Sequence, residues 1–146
     1  MELFEITFSI SFSSFTKRFP VEEPANSFTP QHLTISAPHC YKLLGSLAQM
    51  NPPIREKKHQ DMLWKAIKEG IADTIGSDHA PHGLENKKKE YPQTPSGMPG
   101  VQTLVPLMLN HVNNNKLTLN QFIKLVCENP CRIFGIKNKG LSLIHI

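Results

Sequence analysis

The sequence has 146 residues, of which 39% are hydrophobic, and its formal net charge is +4. This length allows one domain with its own core but falls short of a complete (β/α)8 barrel, which typically takes about 250 residues. The modest charge comes without a recognisable basic module, which argues against a nucleic-acid partner, and no apolar run is long enough to predict a membrane span.

The cysteines and the first residues bear on where the protein works. Cys40, Cys127 and Cys131 form no paired framework, so we expect free thiols in a reducing compartment. The N-terminus carries Glu2 and Glu5 instead of the basic stretch that opens a secretory signal. The sequence therefore predicts a cytoplasmic protein.

The first half of the chain predicts short elements with irregular connections. Residues 6–13 alternate strictly between apolar and polar side chains, which is typical of a half-buried strand. Residues 32–36 predict the end of a short strand, and residues 37–49 predict a short helix or an ordered loop. A helix over residues 58–69 follows, with Met62 on its predicted apolar face, and a glycine ends it.

The next segment has the order of a βα unit. Residues 71–77 predict a short strand that leads directly into Asp78, and a polar loop follows from Pro81 to Gly100. A loop of this length in a compact domain is usually functional or mobile. The spacing of apolar residues then predicts a helix over 101–112 with its three valines on the buried face, and Pro106 is expected to kink it.

Two further helices complete the predicted structure. The tetrapeptide TLNQ, which begins at Thr118, is a capping box, and it opens a helix whose inward positions include Leu119. Asn129 is predicted to cap the last helix, with Pro130 at its first helical position. That helix is short and ends at Gly135.

The octapeptide IGSDHAPH, which ends at His82, brings groups with acid–base and metal chemistry close together. Asp78 follows a predicted strand, and a carboxylate at a strand end can hold a metal ion and accept a proton from metal-bound water. Pro81 stiffens the turn, so His82 has a fixed offset from Asp78, and a protonated His82 can bind an anionic substrate group. We therefore interpret Asp78 as a candidate catalytic and metal-binding residue.

Two proline-containing segments supply weaker candidates. In NPPIR the two prolines fix the backbone, so Asn51 presents an amide with donors and an acceptor, which suits the edge of a cyclic imide or ureide. In TPSGMPG, Gly97 allows a ligand to approach the backbone closely. Four scattered histidines, at positions 32, 39, 59 and 111, are interpreted as surface or satisfied side chains, and the lysine run at 87–89 as a solvated loop face.

Five sequence blocks occur in a specific order: TPQHL, MNPPIRE, GSDHAPH, PSGMPGVQTLVPLML and ENPCRIFGIKNKG. Together they resemble the C-terminal third of a bacterial dihydroorotase, a member of the amidohydrolase superfamily. The resemblance covers about residues 27–140, whereas residues 1–26 and 141–146 do not match. It implies an α/β fold made of the last βα units of a (β/α)8 barrel plus C-terminal helices.

The resemblance also implies an activity and a set of site residues. The implied enzyme depends on zinc and reversibly hydrolyses dihydroorotate to N-carbamoyl-aspartate in pyrimidine synthesis. Asp78 would be the metal-contacting general acid–base, and Asn51, His82, Ser96 and Gly97 would contact the substrate. The implied partners are these small molecules, together with a homo-oligomer or a partner enzyme in the intact protein.

The chain departs from the resembled family before residue 27. The HxH metal motif of the family is missing, and its later histidine ligands and bridging residue would also precede this point. Since a catalytic zinc takes three protein ligands, we expect the chain to be inactive alone. Two other interpretations stay open: a hydantoinase- or allantoinase-like amidohydrolase, and a non-catalytic dihydroorotase-like subunit that binds a partner enzyme.

Overall fold

The computed structural model describes residues 25–139, and the strand predicted over residues 6–13 lies outside this range. The described elements are, in chain order, β1 (Ser27–Phe28), α1 (Pro30–Thr34), α2 (His39–Leu44), a 3₁₀ turn (Gly45–Ala48), α3 (Lys57–Lys68), β2 (Thr74–Ile75), α4 (Leu84–Lys87), α5 (Leu104–Asn113), α6 (Leu119–Ile123), a π turn (Lys124–Glu128) and α7 (Asn129–Ile133). Within the described range, no helix has the length and apolar character needed to cross a bilayer. The chain is α/β, as predicted.

The two strands form a parallel sheet that sets the position of the site. Ser27 pairs with Thr74, and Phe28 pairs with Ile75. The strand predicted over residues 71–77 is therefore confirmed in its central residues. Because the strands run in the same direction, the residues that follow them emerge at the same edge of the sheet.

The segment after β1 is helical, so the strand end predicted over residues 32–36 is wrong. Thr29 opens α1 and its Oγ1 accepts a hydrogen bond from the His32 N–H at 3.5 Å. Pro30 occupies the first helical position, where an N–H has no helical partner. A five-residue helix is too short for its period to show in the sequence. Residues 37–49 contain α2 and the 3₁₀ turn, as predicted.

Helix α3 is confirmed to within one residue at each end, and Gly70 follows it with a φ of 74°. Its buried face is centred on Trp64 and Ile67, whereas Met62 is 45% exposed and was predicted wrongly. Trp64 Nε1 donates a hydrogen bond to the Leu33 carbonyl at 3.1 Å, which ties α3 to α1. Leu33, Trp64 and Ile67 belong to one apolar cluster, which also contains residues of β2, α5 and α6.

The region between β2 and α5 differs from the predicted loop and helix. Helix α4 lies within residues 81–100, which were predicted as an uninterrupted loop. Helix α5 begins at Leu104, and Pro106 lies in its first turn. A proline there removes no intrahelical hydrogen bond, so the predicted kink loses its physical basis. Val101 and Val105 are 63% and 48% exposed, so their predicted burial is wrong.

The predicted capping box at the start of α6 is confirmed. Thr118 Oγ1 accepts from the Gln121 N–H at 3.1 Å, and Gln121 Oε1 accepts from the Thr118 N–H at 2.8 Å. Leu119, which was predicted to point inward, is 51% exposed. The local polar signal therefore located the helix start correctly, while the apolar pattern misplaced one side chain.

Asn129 is not the helix cap that was predicted. It has helical dihedral angles, with φ −63° and ψ −45°, and the helical path runs from α6 through the π turn into α7. Its side chain instead donates to the Asp73 carbonyl at 2.8 Å. The wider π turn ends at Glu128, two residues before Pro130, in a stretch where an α-helical turn would crowd the proline ring. Gly135, with a φ of 61°, follows α7 at the predicted end.

Candidate functional site

Asp78 lies just beyond the carboxyl end of β2. Its φ of 44° is in the left-handed region, which few residues other than glycine adopt and which Asp tolerates because its side chain is short and polar. The residue is half-buried, and within residues 25–139 no hydrogen bond to its carboxylate is present. A left-handed Asp whose carboxylate makes no hydrogen bond within the described residues is a candidate functional position.

The residues on either side of Asp78 are held by side-chain hydrogen bonds. Gln31 Nε2 donates to the Ser77 carbonyl at 3.0 Å, while Gln31 Oε1 is buried without a partner in the described part of the chain. On the other side, His79 Nδ1 accepts from the backbone N–H groups of Gly100 and Val101, at 3.0 and 3.3 Å. The strand end is therefore anchored to α1 and to the segment that leads into α5.

His32 is a satisfied buried histidine, as interpreted, but the sequence did not predict its contact with the segment that carries Asn51. It is 7% exposed. Nδ1 lies 2.7 Å from Thr29 Oγ1, and Nε2 lies 3.1 Å from the Pro52 carbonyl oxygen. Because a carbonyl only accepts, Nε2 carries the proton and Nδ1 accepts from the hydroxyl. The ring therefore fixes the segment that carries Asn51.

We expect the free energy of unfolding to fall as the pH drops below about 6.5, in part because of His32. Burial lowers the pKa of His32 below its ordinary value of 6.5, and the carbonyls of Pro52 and Pro53 and the Asp78 charge oppose this only in part. In this range the unfolded chain binds a proton that the folded ring resists, so stability is lost with acidification until the folded pKa is reached.

The substitution His32→Gln should make this loss shallower when urea unfolding is compared between about pH 5 and pH 7. Some pH dependence should remain, because burial also lowers the pKa of His111. The variant His39→Gln is the control, since His39 is exposed. An unchanged slope in the His32 variant would contradict the assignment.

Asn51 and Ser96 line a cavity of about 700 Å³, which is within the range of small-molecule pockets. The lining of this cavity does not include Asp78, His82 or Gly97. The structure thus brings two of the predicted substrate-binding residues to one cavity and places the other candidates in a second group at the strand end.

The second group consists of the turn after Asp78 and the loop that carries Gly97. His82 Nε2 lies 3.0 Å from the Ser96 carbonyl oxygen, and the Ala80 N–H donates to the Met98 carbonyl at 3.1 Å. A Cβ on Gly97 would lie 2.6 Å from the Ala80 carbonyl oxygen, so only glycine allows this close approach. The two segments therefore pack as one unit, and Ser96 connects that unit with the cavity.

The described residues do not form a metal site by themselves. Within residues 25–139 no group of three or more His, Cys, Asp or Glu side chains is close enough to hold an ion. Both ring nitrogens of His32 are engaged in hydrogen bonds. Asp78 is the candidate for one ligand, whereas a catalytic zinc takes three from the protein.

The fold is that of an α/β protein, and its candidate functional groups lie at the carboxyl end of a parallel strand and in the loops that follow it. A family model described as the amidohydrolase family matches residues 18–141. The chain belongs to the amidohydrolase family.

Similar proteins agree with this assignment. The chain is 40% identical over 112 residues to a dihydroorotase from Methanosphaera stadtmanae, covering 77% of this chain and 25% of the relative. It is 47% identical over 99 residues to a dihydroorotase from Clostridium botulinum, covering 67% and 24%. A solved structure of L-hydantoinase (dihydropyrimidinase) from Arthrobacter aurescens matches with a TM-score of 0.75 and 33% identity, covering 80% and 27%. The chain spans about a quarter of the length of these relatives.

Proposed function

We propose that this chain forms the C-terminal part of a dihydroorotase, which reversibly hydrolyses the cyclic amide of dihydroorotate to N-carbamoyl-aspartate. The observation that carries the proposal is the packing of the turn after Asp78 against the loop at residues 96–98, at the end of β2. Dihydroorotases match this chain at identities from 34% to 47% and an L-hydantoinase matches at 34%, so the upper part of the dihydroorotase range supports dihydroorotate over hydantoin as the substrate. The proposal includes a (β/α)8 barrel and a role in cytoplasmic pyrimidine synthesis.

The proposed chemistry assigns the proton transfers to Asp78. Hydrolysis requires a water oxygen to add to the ring carbonyl carbon and a proton to reach the departing nitrogen. The Asp78 carboxylate accepts the proton from the attacking water and delivers it to the ring nitrogen as the C–N bond breaks. Ring closure uses the same transfers in the opposite order. The anchored backbone on both sides of Asp78 keeps the carboxylate in position for both steps.

The proposed substrate contacts follow from the groups that the fold leaves available. The Asn51 amide offers donors and an acceptor to the ring edge. His82 uses Nε2 on the Ser96 carbonyl, so the imidazolium form of the ring has its Nδ1–H left to donate to the substrate carboxylate. The Gly97 N–H already donates to the Gln49 carbonyl at 3.0 Å, so Gly97 contributes by permitting a close approach and Ser96 by its polar groups.

Zinc enters the proposal only as a group that Asp78 would contact. Residues 25–139 offer fewer ligands than a catalytic zinc needs, so the other ligands would have to come from outside this range. The intact protein is also proposed to form a homo-oligomer or a complex with a partner enzyme. The presence of both Asp78 and His82 favours an active protein over a non-catalytic subunit.

A chimera tests the proposed function. The segment of the Methanosphaera stadtmanae dihydroorotase that matches this chain, 112 residues long, is replaced by the corresponding residues of this chain. We expect the purified chimera to hydrolyse dihydroorotate, and to do so at least about tenfold faster than hydantoin in kcat/KM. A preference for hydantoin would support the hydantoinase-like alternative. A folded chimera that hydrolyses neither compound would favour a partner-binding role.

A further inference from the structure

Lys87 behaves unlike the two lysines that follow it in the sequence. It is the last residue of α4 and is only 5% exposed, whereas Lys88 and Lys89 are exposed. The interpretation of this run as a solvated face therefore holds for two of its members and is wrong for Lys87. Burying the long side chain of a lysine costs conformational entropy and solvation of its charge, so hydrogen bonds within the fold must offset this cost.

The ammonium group of Lys87 joins two segments that are far apart in the sequence. Nζ donates to the Gln49 carbonyl and to the Pro95 carbonyl, each at 2.9 Å. Gln49 lies two residues before Asn51, and Pro95 directly precedes Ser96. Each of the two contacts therefore holds the backbone next to a residue that the proposed function assigns to substrate binding.

Further hydrogen bonds join the same segments around Lys87. The Gly97 N–H donates to the Gln49 carbonyl at 3.0 Å, and Gln49 Nε2 donates to the Thr94 carbonyl at 3.2 Å. Thr94 Oγ1 in turn donates to the Lys87 carbonyl at 3.2 Å, and Thr94 is 3% exposed. Neither segment belongs to the sheet of β1 and β2, so the Lys87 ammonium adds to the backbone hydrogen bond between Gly97 and Gln49 in joining them.

The charge of Lys87 has no acidic partner within the described residues. The ion pairs found there involve other lysines, and burial lowers the pKa of the Lys87 ammonium. Two carbonyl oxygens are therefore the groups that stabilise the donor. A lysine held by main-chain acceptors alone fits a role in fixing loop geometry better than a role in proton transfer.

We propose that Lys87 is a positioning residue that holds the Asn51 segment and the Ser96–Gly97 segment at a fixed separation. The inference rests on the proposed function only for the claim that these segments bind substrate. The claim that Lys87 joins them stands on the hydrogen bonds alone. Lys87 itself is not assigned a contact with the substrate.

Hydrogen exchange on the full chain tests, without any substrate, whether Lys87 holds the two segments together. Lys87→Met keeps the length of the side chain and removes its donors, and we expect the Gly97 amide to exchange at least about tenfold faster than in the unmodified chain. Amides of α3 should be unchanged. Lys87→Arg retains charged donors and should restore part of the protection. Lys68→Met, at the exposed end of α3, is the matched control and should leave Gly97 unchanged.

A second readout addresses positioning for the substrate. In the chimera, Lys87→Met should raise KM for dihydroorotate about tenfold while kcat changes by less than about threefold, and Lys87→Arg should recover part of the loss. If the Gly97 amide exchanges at an unchanged rate in a folded Lys87→Met chain, the proposal that Lys87 holds the two segments together is overturned. Loss of α3 protection in both Lys87 variants would also overturn it, because it would show a general role in folding. If the folded chimera does not hydrolyse dihydroorotate but Lys87→Met still speeds exchange of the Gly97 amide, the proposed function is overturned. The positioning role of Lys87 is then still supported.

Discussion

Replacing Asp78 with Asn in the chimera is expected to lower kcat for dihydroorotate by about 10²- to 10⁴-fold. Asparagine keeps the shape of the side chain but cannot accept the proton of the attacking water. It is also one of the few residues that tolerate the left-handed conformation, so the φ of 44° at this position should be retained. The loss should therefore appear in the chemical step and not in the folded state, which kcat and the melting temperature measure separately.

The control for this prediction is Asp61→Asn. Asp61 lies on the exposed side of α3 and pairs with Lys57 at 2.8 Å, where the charge is screened by solvent. That variant should keep the kcat of the chimera within about twofold. If Asp78→Asn also stayed within about threefold, Asp78 could not be the general acid–base, because such catalysis contributes far more.

Replacing Gly97 with Ala is expected to destabilise the loop locally by about 2–4 kcal/mol. The φ of 134° is strained for any residue with a Cβ, and the added carbon would meet both the carbonyl oxygen and the Cβ of Ala80, at 2.6 and 2.7 Å. His82 Nε2 would lie 3.3 Å from the new carbon. The turn and the loop must therefore separate, which breaks the contact between His82 and the Ser96 carbonyl.

In the chimera, Gly97→Ala should raise KM for dihydroorotate by at least about tenfold. The matched control is Gly83→Ala, because Gly83 has a φ of −58° and its added Cβ would meet nothing within 4 Å. A Gly97→Ala chimera with the KM of the control would show that the close packing of turn and loop is not needed for substrate binding.

The sequence predicted those parts of the fold that depend on residues close together in the chain. The capping box at Thr118 is local chemistry between residues three apart, and the structure shows both of its hydrogen bonds. Helix α3 has enough turns for its period to be visible, and Gly70 marks its end. The buried face was harder to predict, since Met62 and Trp64 are both apolar and only the neighbouring helix α1 decides which one is covered.

The connections within the candidate site depend on residues that are distant in the sequence. His32 reaches the Pro52 carbonyl across 20 residues, and Lys87 reaches the Gln49 carbonyl across 38. Neither side chain carries a local signal, because a lone histidine and a lysine run are ordinary surface features. The roles of five residues are predictions from motifs and from the resemblance to dihydroorotases: Asp78, Asn51, His82, Ser96 and Gly97.

The dependence of the site on main-chain acceptors has a consequence for how the sequence can drift. A carbonyl oxygen is present whichever side chain its residue carries, so substitutions at Gln49 or Pro95 that keep the backbone path leave the acceptor in place. The donors His32 and Lys87 have no such redundancy, since each is a single side-chain group. In each of these contacts, the residue that supplies the side-chain donor should therefore tolerate few substitutions, whereas the residue that supplies the main-chain acceptor should tolerate many.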